Sequence, residues 1–238
     1  MIKIYYDNGV DQASHDSLRN SLSIRKPSNI DAQAIIKTAA WEEAALLIFP
    51  GGRDRPYHTA LKGVGNQRIR TYVENGGCYL GICAGAYYGA KDVEFDRGGK
   101  LEVVESRELN FFPGIARGPV YGSGTFFYDS EEGSQASLIS NLFGIQSLKV
   151  YYNGGCSFVD AEKYPQVKVL SRYLGVEGEP AAIISISIGK GKVILSGVHL
   201  EVRASDPFVL PHVKEGLEPF EKDRGHLFTQ LIKMCFPN

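Results

Sequence analysis

The stretch GGCYLGICAGAYYGA, Gly76 to Ala90, passes from two glycines into a short apolar run, sets Cys83 between small residues and continues into helix-forming sequence. An apolar run of this length, bounded by glycine, predicts a strand buried on both faces. The AGAYYGA that follows predicts the start of a helix. Between them, Gly81-Ile82-Cys83-Ala84-Gly85 has the form G-x-C-x-G, the cysteine version of a nucleophile elbow. That reading places Cys83 in a strained turn between strand and helix, with its thiol above the sheet. A helix N-terminus favours a thiolate there, and the Ala84 N–H then faces the position of an oxyanion.

Working outward, the same pattern recurs. IKIYY (Ile2–Tyr6) is a β-rich run closed by the turn signal DNG, and AALLIF (Ala44–Phe49) is an apolar run stopped by PGG. Helices are predicted near Ser14–Leu22, within Ile30–Ala40 and over Gly65–Glu74, the last stopped by Asn75-Gly76-Gly77. Strands alternating with helices predict an α/β fold with a parallel sheet covered on both faces. The later chain differs. KLEVVES, SLKVYYNGG, VKVLSRYL, AAIISISIG and KVILSGV read as strands with few helices between them, and IGKGK (Ile188–Lys192) reads as a hairpin turn. These predict antiparallel strands added at one edge of a mostly parallel sheet. A last helix is predicted over Glu218–Met234. With no linker, repeat or biased tract, residues 1–238 read as one domain.

Composition narrows the function classes. Lys and Arg number 26 against 27 Asp and Glu, with no dense basic run, so neither nucleic acid nor a membrane surface is expected as partner. No apolar run approaches the ~18 residues of a membrane span, and MIKIYYDNGV does not read as a secretory signal. The four cysteines, Cys78, Cys83, Cys156 and Cys235, form no C-x-x-C pair, and no His/Cys cluster has zinc spacing. No metal or cofactor is expected, and scattered thiols suit a reducing, cytoplasmic setting.

A nucleophile needs a base. Of the five histidines, His199 alone directly follows a strong buried strand, in KVILSGVHLEV. In a parallel sheet, sites gather beyond the carboxyl ends of strands, which sets His199 at the same edge as Cys83. Glu201, two residues on, can turn to the same side and fix the imidazole, giving Cys83–His199–Glu201. The Gly51-Gly52 turn after Ala44–Phe49 offers a second oxyanion donor in the Gly52 N–H. Arg53, Asp54 and Tyr57 follow that turn and are candidates to select a ligand. The alternative for them is a salt bridge and packing at the rim. Cys156 lacks the strand–helix context and reads as structural or pocket-lining. His15, His58, His212 and His226 are assigned no role.

These residues resemble the class I glutamine amidotransferase-like superfamily, which pairs a cysteine elbow with a late H-x-E motif. Within it, FPGGRDRPY (Phe49–Tyr57), GGCYLGICAGAYYGA, SRELNFFPGIARGPVY (Ser106–Tyr121), VYYNGGCSF (Val150–Phe158) and GKGKVILSGVHLE (Gly189–Glu201) resemble the N-terminal domain of biotin–protein ligases and its stand-alone bacterial relatives. The resemblance implies a flavodoxin-like three-layer α/β sandwich and the Cys83–His199–Glu201 triad. It does not imply biotin ligation, because no counterpart of the ligase catalytic domain is found. Glutamine-using members carry glutamine where this chain has Tyr87, and H-P-E where it has His199-Leu200-Glu201. An altered substrate pocket is therefore expected, with Tyr87, Asn153, Tyr151, Tyr152 and Phe112 as candidate lining. The expected activity is cysteine-dependent hydrolysis of a small amide or peptide through a thioester. The alternative is a non-catalytic ligand-binding or regulatory module with a protein partner linked to biotinylation.

Overall fold

The computed structural model of the chain describes residues 1–140 and 147–236. Its strands are β1 Ile2–Tyr5, β2 Ser28–Ile30, β3 Leu46–Phe49, β4 Cys78–Ile82, β5 Ala90–Phe95, β6 Val103–Ser106, β7 Phe112–Gly118, β8 Gln135–Ile139, β9 Leu148–Tyr152, β10 Ser157–Phe158, β11 Val167–Arg172, β12 Ala181–Ile188 and β13 Gly191–Ser196. Its α-helices are α1 Gln12–Ser21, α2 Ala32–Lys37, α3 Asp54–Leu61, α4 Val64–Glu74, α5 Ala84–Gly89, α6 Pro211–Leu217 and α7 Glu221–Lys233.

The main sheet runs β2-β1-β3-β4-β13-β12-β10-β7-β5-β6, with β11 also paired to β12. From β2 to β13 all neighbours are parallel. Antiparallel pairing begins at the β12–β13 hairpin, whose turn is the Gly189-Lys190 predicted above. Beyond it, β5 and β7 are again parallel to one another.

Alternation along the central strands divides the core, because successive side chains point to opposite faces. Ile2, Ile4, Leu46, Ile48, Leu80 and Ile82 pack with Leu18 of α1 and Leu227, Leu231 and Ile232 of α7. Tyr5, Leu47, Phe49 and Tyr79 face the other way, onto α2, α3, α4 and α5. Helix, sheet and helix form the three layers of a flavodoxin-like sandwich. Among the described residues no helix is long and apolar enough to cross a membrane.

The structure departs from the sequence expectations at four places. SLKVYYNGG does not extend the main sheet; β9 pairs with β8 in a separate two-stranded ribbon, with α6 packed beside it. The parallel pair β5–β7 belongs to the sheet but escaped the sequence reading, since AKDVEF mixes charge with apolar residues and continues straight from α5. DRPYHTAL forms helix α3, to which the sequence reading assigns no element, because its charges hide the periodicity of Tyr57 and Leu61. The last predicted helix divides at Glu218–Phe220 into a 3-10 turn followed by α7.

Candidate functional site

The parallel order places the C-terminal ends of β3, β4 and β13 side by side, and each delivers one part of the site. At the end of β4, Cys83 has φ 49° and ψ −102°, a left-handed backbone that non-glycine residues rarely adopt. The surroundings hold it there. The Cys83 N–H donates to the Ser196 carbonyl at 2.8 Å, and its own carbonyl accepts from the N–H groups of Ala86 and Tyr87. The thiol is 7% exposed, with Sγ 3.7 Å from the Asn153 carbonyl. The helix it opens, α5, has only six residues, so the dipole reading contributes less than expected.

Beyond β13, His199 is fixed by donating its backbone N–H to the Tyr151 carbonyl at 2.9 Å. Its Nδ1 lies 2.8 Å from Glu201 Oε1. Glu201 is fully buried, and its Oε2 has no hydrogen-bond partner among the described residues. The Ser21 hydroxyl holds the Glu201 carbonyl at 2.8 Å. Burial works against the His199 imidazolium, but the Glu201 carboxylate and the Cys83 thiol outweigh it and hold the proton well above the ordinary histidine range.

This shift has a consequence for stability. A raised pKa in the folded state means that the pair's contribution is complete below the unfolded value, about 6.5, and declines as pH rises through the folded value. Wild type is therefore expected to exceed His199→Gln in urea midpoint most at pH 5.5, with the gap narrowing toward pH 9. A gap that widens with pH would show that the imidazole is buried neutral.

After β3, the Gly51-Gly52 loop folds over the same edge. A Cβ on Gly51 would lie 2.7 Å from His199 Cε1, and one on Gly52, at φ 135°, 2.0 Å from the Gly9 carbonyl oxygen. Only glycine allows this close approach. The N–H groups of Gly52 and Ala84 have no acceptor among the described residues. The other candidates separate. Tyr57 is buried beneath the loop, its hydroxyl donating to the Gly51 carbonyl at 3.0 Å, and it does not line the cleft. Asp54 borders the cleft but is held at 2.7 Å by the buried Arg107. Burial pushes its carboxyl up against the pull of that guanidinium. Arg53 is exposed and lies 4.6 Å over the Tyr128 ring.

Cys83, His199 and the loop open onto a cleft of about 850 Å³, also lined by Tyr87, Tyr151 and Asn153. The Tyr87 hydroxyl donates to the Gly154 carbonyl at 3.0 Å, tying α5 to the segment that touches Sγ. Tyr152 and Phe112 are buried away from the cleft. Cys156 is wholly buried, and burial pushes its thiol well up. Two cleft residues had no sequence signal. Glu131 accepts from Asn153 Nδ2 at 2.9 Å and from the Tyr151 hydroxyl. Ser14, in α1, bonds to both Glu201 and Gly51.

The family model described as "Biotin-protein ligase, N terminal" matches residues 1–234, and the chain belongs to this family. An uncharacterized protein of Chlamydia muridarum (strain MoPn / Nigg) is 46% identical over 174 residues, which are 72% of this chain and 66% of that protein. The biotin–protein ligase of Schizosaccharomyces pombe (strain 972 / ATCC 24843) is 39% identical over 212 residues, 86% of this chain and 32% of the ligase. The chain thus spans about two-thirds of one curated relative's length and a third of the other's. Among solved structures, a glutamine amidotransferase aligns with TM-score 0.61 at 17% identity, covering 95% of this chain and all of that one. At that identity the likeness is one of fold.

Proposed function

We propose that this member of the biotin–protein ligase N-terminal family is a cysteine-dependent amide hydrolase, with residues 1–238 acting as one amidotransferase-like domain. The observation that carries the reading is the strained Cys83 elbow beside a histidine whose Nδ1 is held by a buried carboxylate. His199 takes the thiol proton, and the thiolate adds to a carboxamide carbon, forming the C–S bond. The Gly52 and Ala84 N–H groups hold the oxyanion. As the C–N bond breaks, His199 gives its proton to the leaving amine. Water then attacks the thioester, passing a proton to His199, and releases the acid and the free thiol. Glu201 keeps the imidazole in the required tautomer. The substrate class is a small amide or a short peptide, and Tyr87, Asn153 and Arg53 shape its site. The four free thiols suit a reducing cytoplasm.

Alkylation of Cys83 by iodoacetamide, followed by mass spectrometry across pH, tests the nucleophile. A thiol of ordinary acidity is about 0.3% thiolate at pH 6, whereas one paired with an imidazolium is largely ionised. Lower intrinsic nucleophilicity offsets part of that gain. The net expectation is alkylation roughly 10-fold faster at pH 6 in wild type than in His199→Ala. Equal rates would remove the preformed nucleophile.

A second reading draws on the family itself. A non-catalytic module that regulates or docks with the biotinylation machinery would keep the elbow for its fold. Cys83→Ser separates the two: it abolishes turnover by an enzyme and leaves a module's partner binding unchanged.

A further inference from the structure

The hydroxyl of Ser14 donates to Glu201 Oε1 at 3.0 Å and accepts from the Gly51 N–H at 3.0 Å. Ser14 is itself buried, and Asp11 Oδ1 caps its backbone N–H at 2.8 Å, fixing the first turn of α1. An ionised carboxylate can only accept, so the single hydroxyl proton is committed to Glu201. The oxygen's lone pairs are then turned to Gly51. One directed chain results: Gly51 N–H to Ser14 Oγ–H to Glu201, with His199 Nδ1 bound to the same carboxylate oxygen.

The loop is fastened from its other side as well. The Gly51 carbonyl accepts from the Asp11 N–H and the Tyr57 hydroxyl, each at 3.0 Å. Gly51 also sits against the His199 ring, where a Cβ would come within 2.7 Å of Cε1. The Gly51–Gly52 peptide is held at its carbonyl by Asp11 and Tyr57, and the peptide before it by Ser14, which also braces the carboxylate that orients the histidine.

We propose that Ser14 is a positioning residue that locks the Gly51-Gly52 oxyanion loop to the Glu201–His199 pair, so that donor and base are set as one unit. This rests on the acyl-transfer reading above. It goes further in assigning the placement of the Gly52 N–H to a side chain from a different helix, 187 positions from Glu201.

Two reagents distinguish positioning of the loop from support of the nucleophile. Acylation of Cys83 by p-nitrophenyl acetate builds charge on a carbonyl oxygen, whereas alkylation by iodoacetamide does not. Ser14→Ala is expected to slow acylation about 10- to 100-fold, since one misplaced oxyanion donor costs on that order or more. Alkylation should stay within about 2-fold of wild type, because no oxyanion forms in it. Ser14→Thr, which keeps the hydroxyl, should recover most of the acylation rate. In hydrogen exchange, the Gly51 amide should lose protection in Ser14→Ala and retain it in Ser14→Thr. Acylation unchanged in Ser14→Ala, equal losses in both reactions, or an unaltered Gly51 amide would each overturn the proposal. Wild-type acylation no faster than that of Cys83→Ala would instead overturn the acyl-transfer reading, and this role for Ser14 with it.

Discussion

Glu201→Gln is expected to slow acylation of Cys83 by about 10²–10⁴-fold and to lower the urea midpoint, most clearly at pH 5.5. The rate estimate follows the effect of neutralising the carboxylate that supports a catalytic histidine. The physical reason lies in the balance at His199. Burial disfavours the imidazolium, and the Glu201 charge does most to overcome it. An isosteric amide retains an oxygen for His199 Nδ1 and Ser14 Oγ but removes that charge. The imidazolium then loses its main support, and with it the charge that would stabilise the attacking sulfur. Stability should fall as well. Glu201 is fully buried, and one of its oxygens has no partner among the described residues. Taking the charge from one member of a buried pair typically destabilises, and the loss is largest at low pH, where the carboxylate holds the proton on His199. A variant that loses stability while reacting at the wild-type rate would make Glu201 a structural carboxylate.

How much of this was legible in the sequence depended on how local each constraint is. The elbow was readable because its glycines act across four residues: a Cβ on Gly81 would lie 2.2 Å from the Gly85 carbonyl oxygen. The parallel block was readable because buried strands cannot afford polar residues, so LLIF and CYLGI stand out as unbroken apolar runs. His199 and Glu201 stood out through their spacing after β13. What failed to register was set by tertiary contact. Nothing near Ser14 shows that its hydroxyl meets Glu201, and its pattern after Asp11 reads only as a helix cap. Glu131 lies in an irregular segment with no periodicity, and its position is fixed by Asn153 and Tyr151. Tyr57 follows the loop in sequence, which makes it a candidate ligand contact with packing at the rim as the alternative. The helix that begins at Asp54 carries it inward instead, where its ring packs edge-on against Tyr5 at 5.2 Å.

Gly85→Ala is expected to destabilise the fold by about 3 kcal/mol or more, at the upper end of what overpacking a dense core costs. Helix propensity alone argues the reverse, since alanine exceeds glycine by up to about 1 kcal/mol within a helix. Sterics decide the sign. The new Cβ would fall 2.1 Å from the Phe49 carbonyl oxygen and 2.8 Å from Phe49 Cβ, so α5 would have to lift away from β3. Two contacts would be lost with that movement. The Gly85 N–H reaches the Pro50 carbonyl at 3.2 Å, and the Gly85 carbonyl accepts from the Tyr79 hydroxyl at 2.8 Å. Phe49 also stacks on Tyr5 and Tyr79, so the strain spreads into the aromatic core. Gly225→Ala supplies the control within the same chain. It lies inside α7, and a Cβ there meets nothing within 4 Å. Its urea midpoint should rise slightly as that of Gly85→Ala falls steeply. If both variants moved together, propensity would outweigh packing at the elbow. The second glycine of G-x-C-x-G would then not be required for α5 to approach β3.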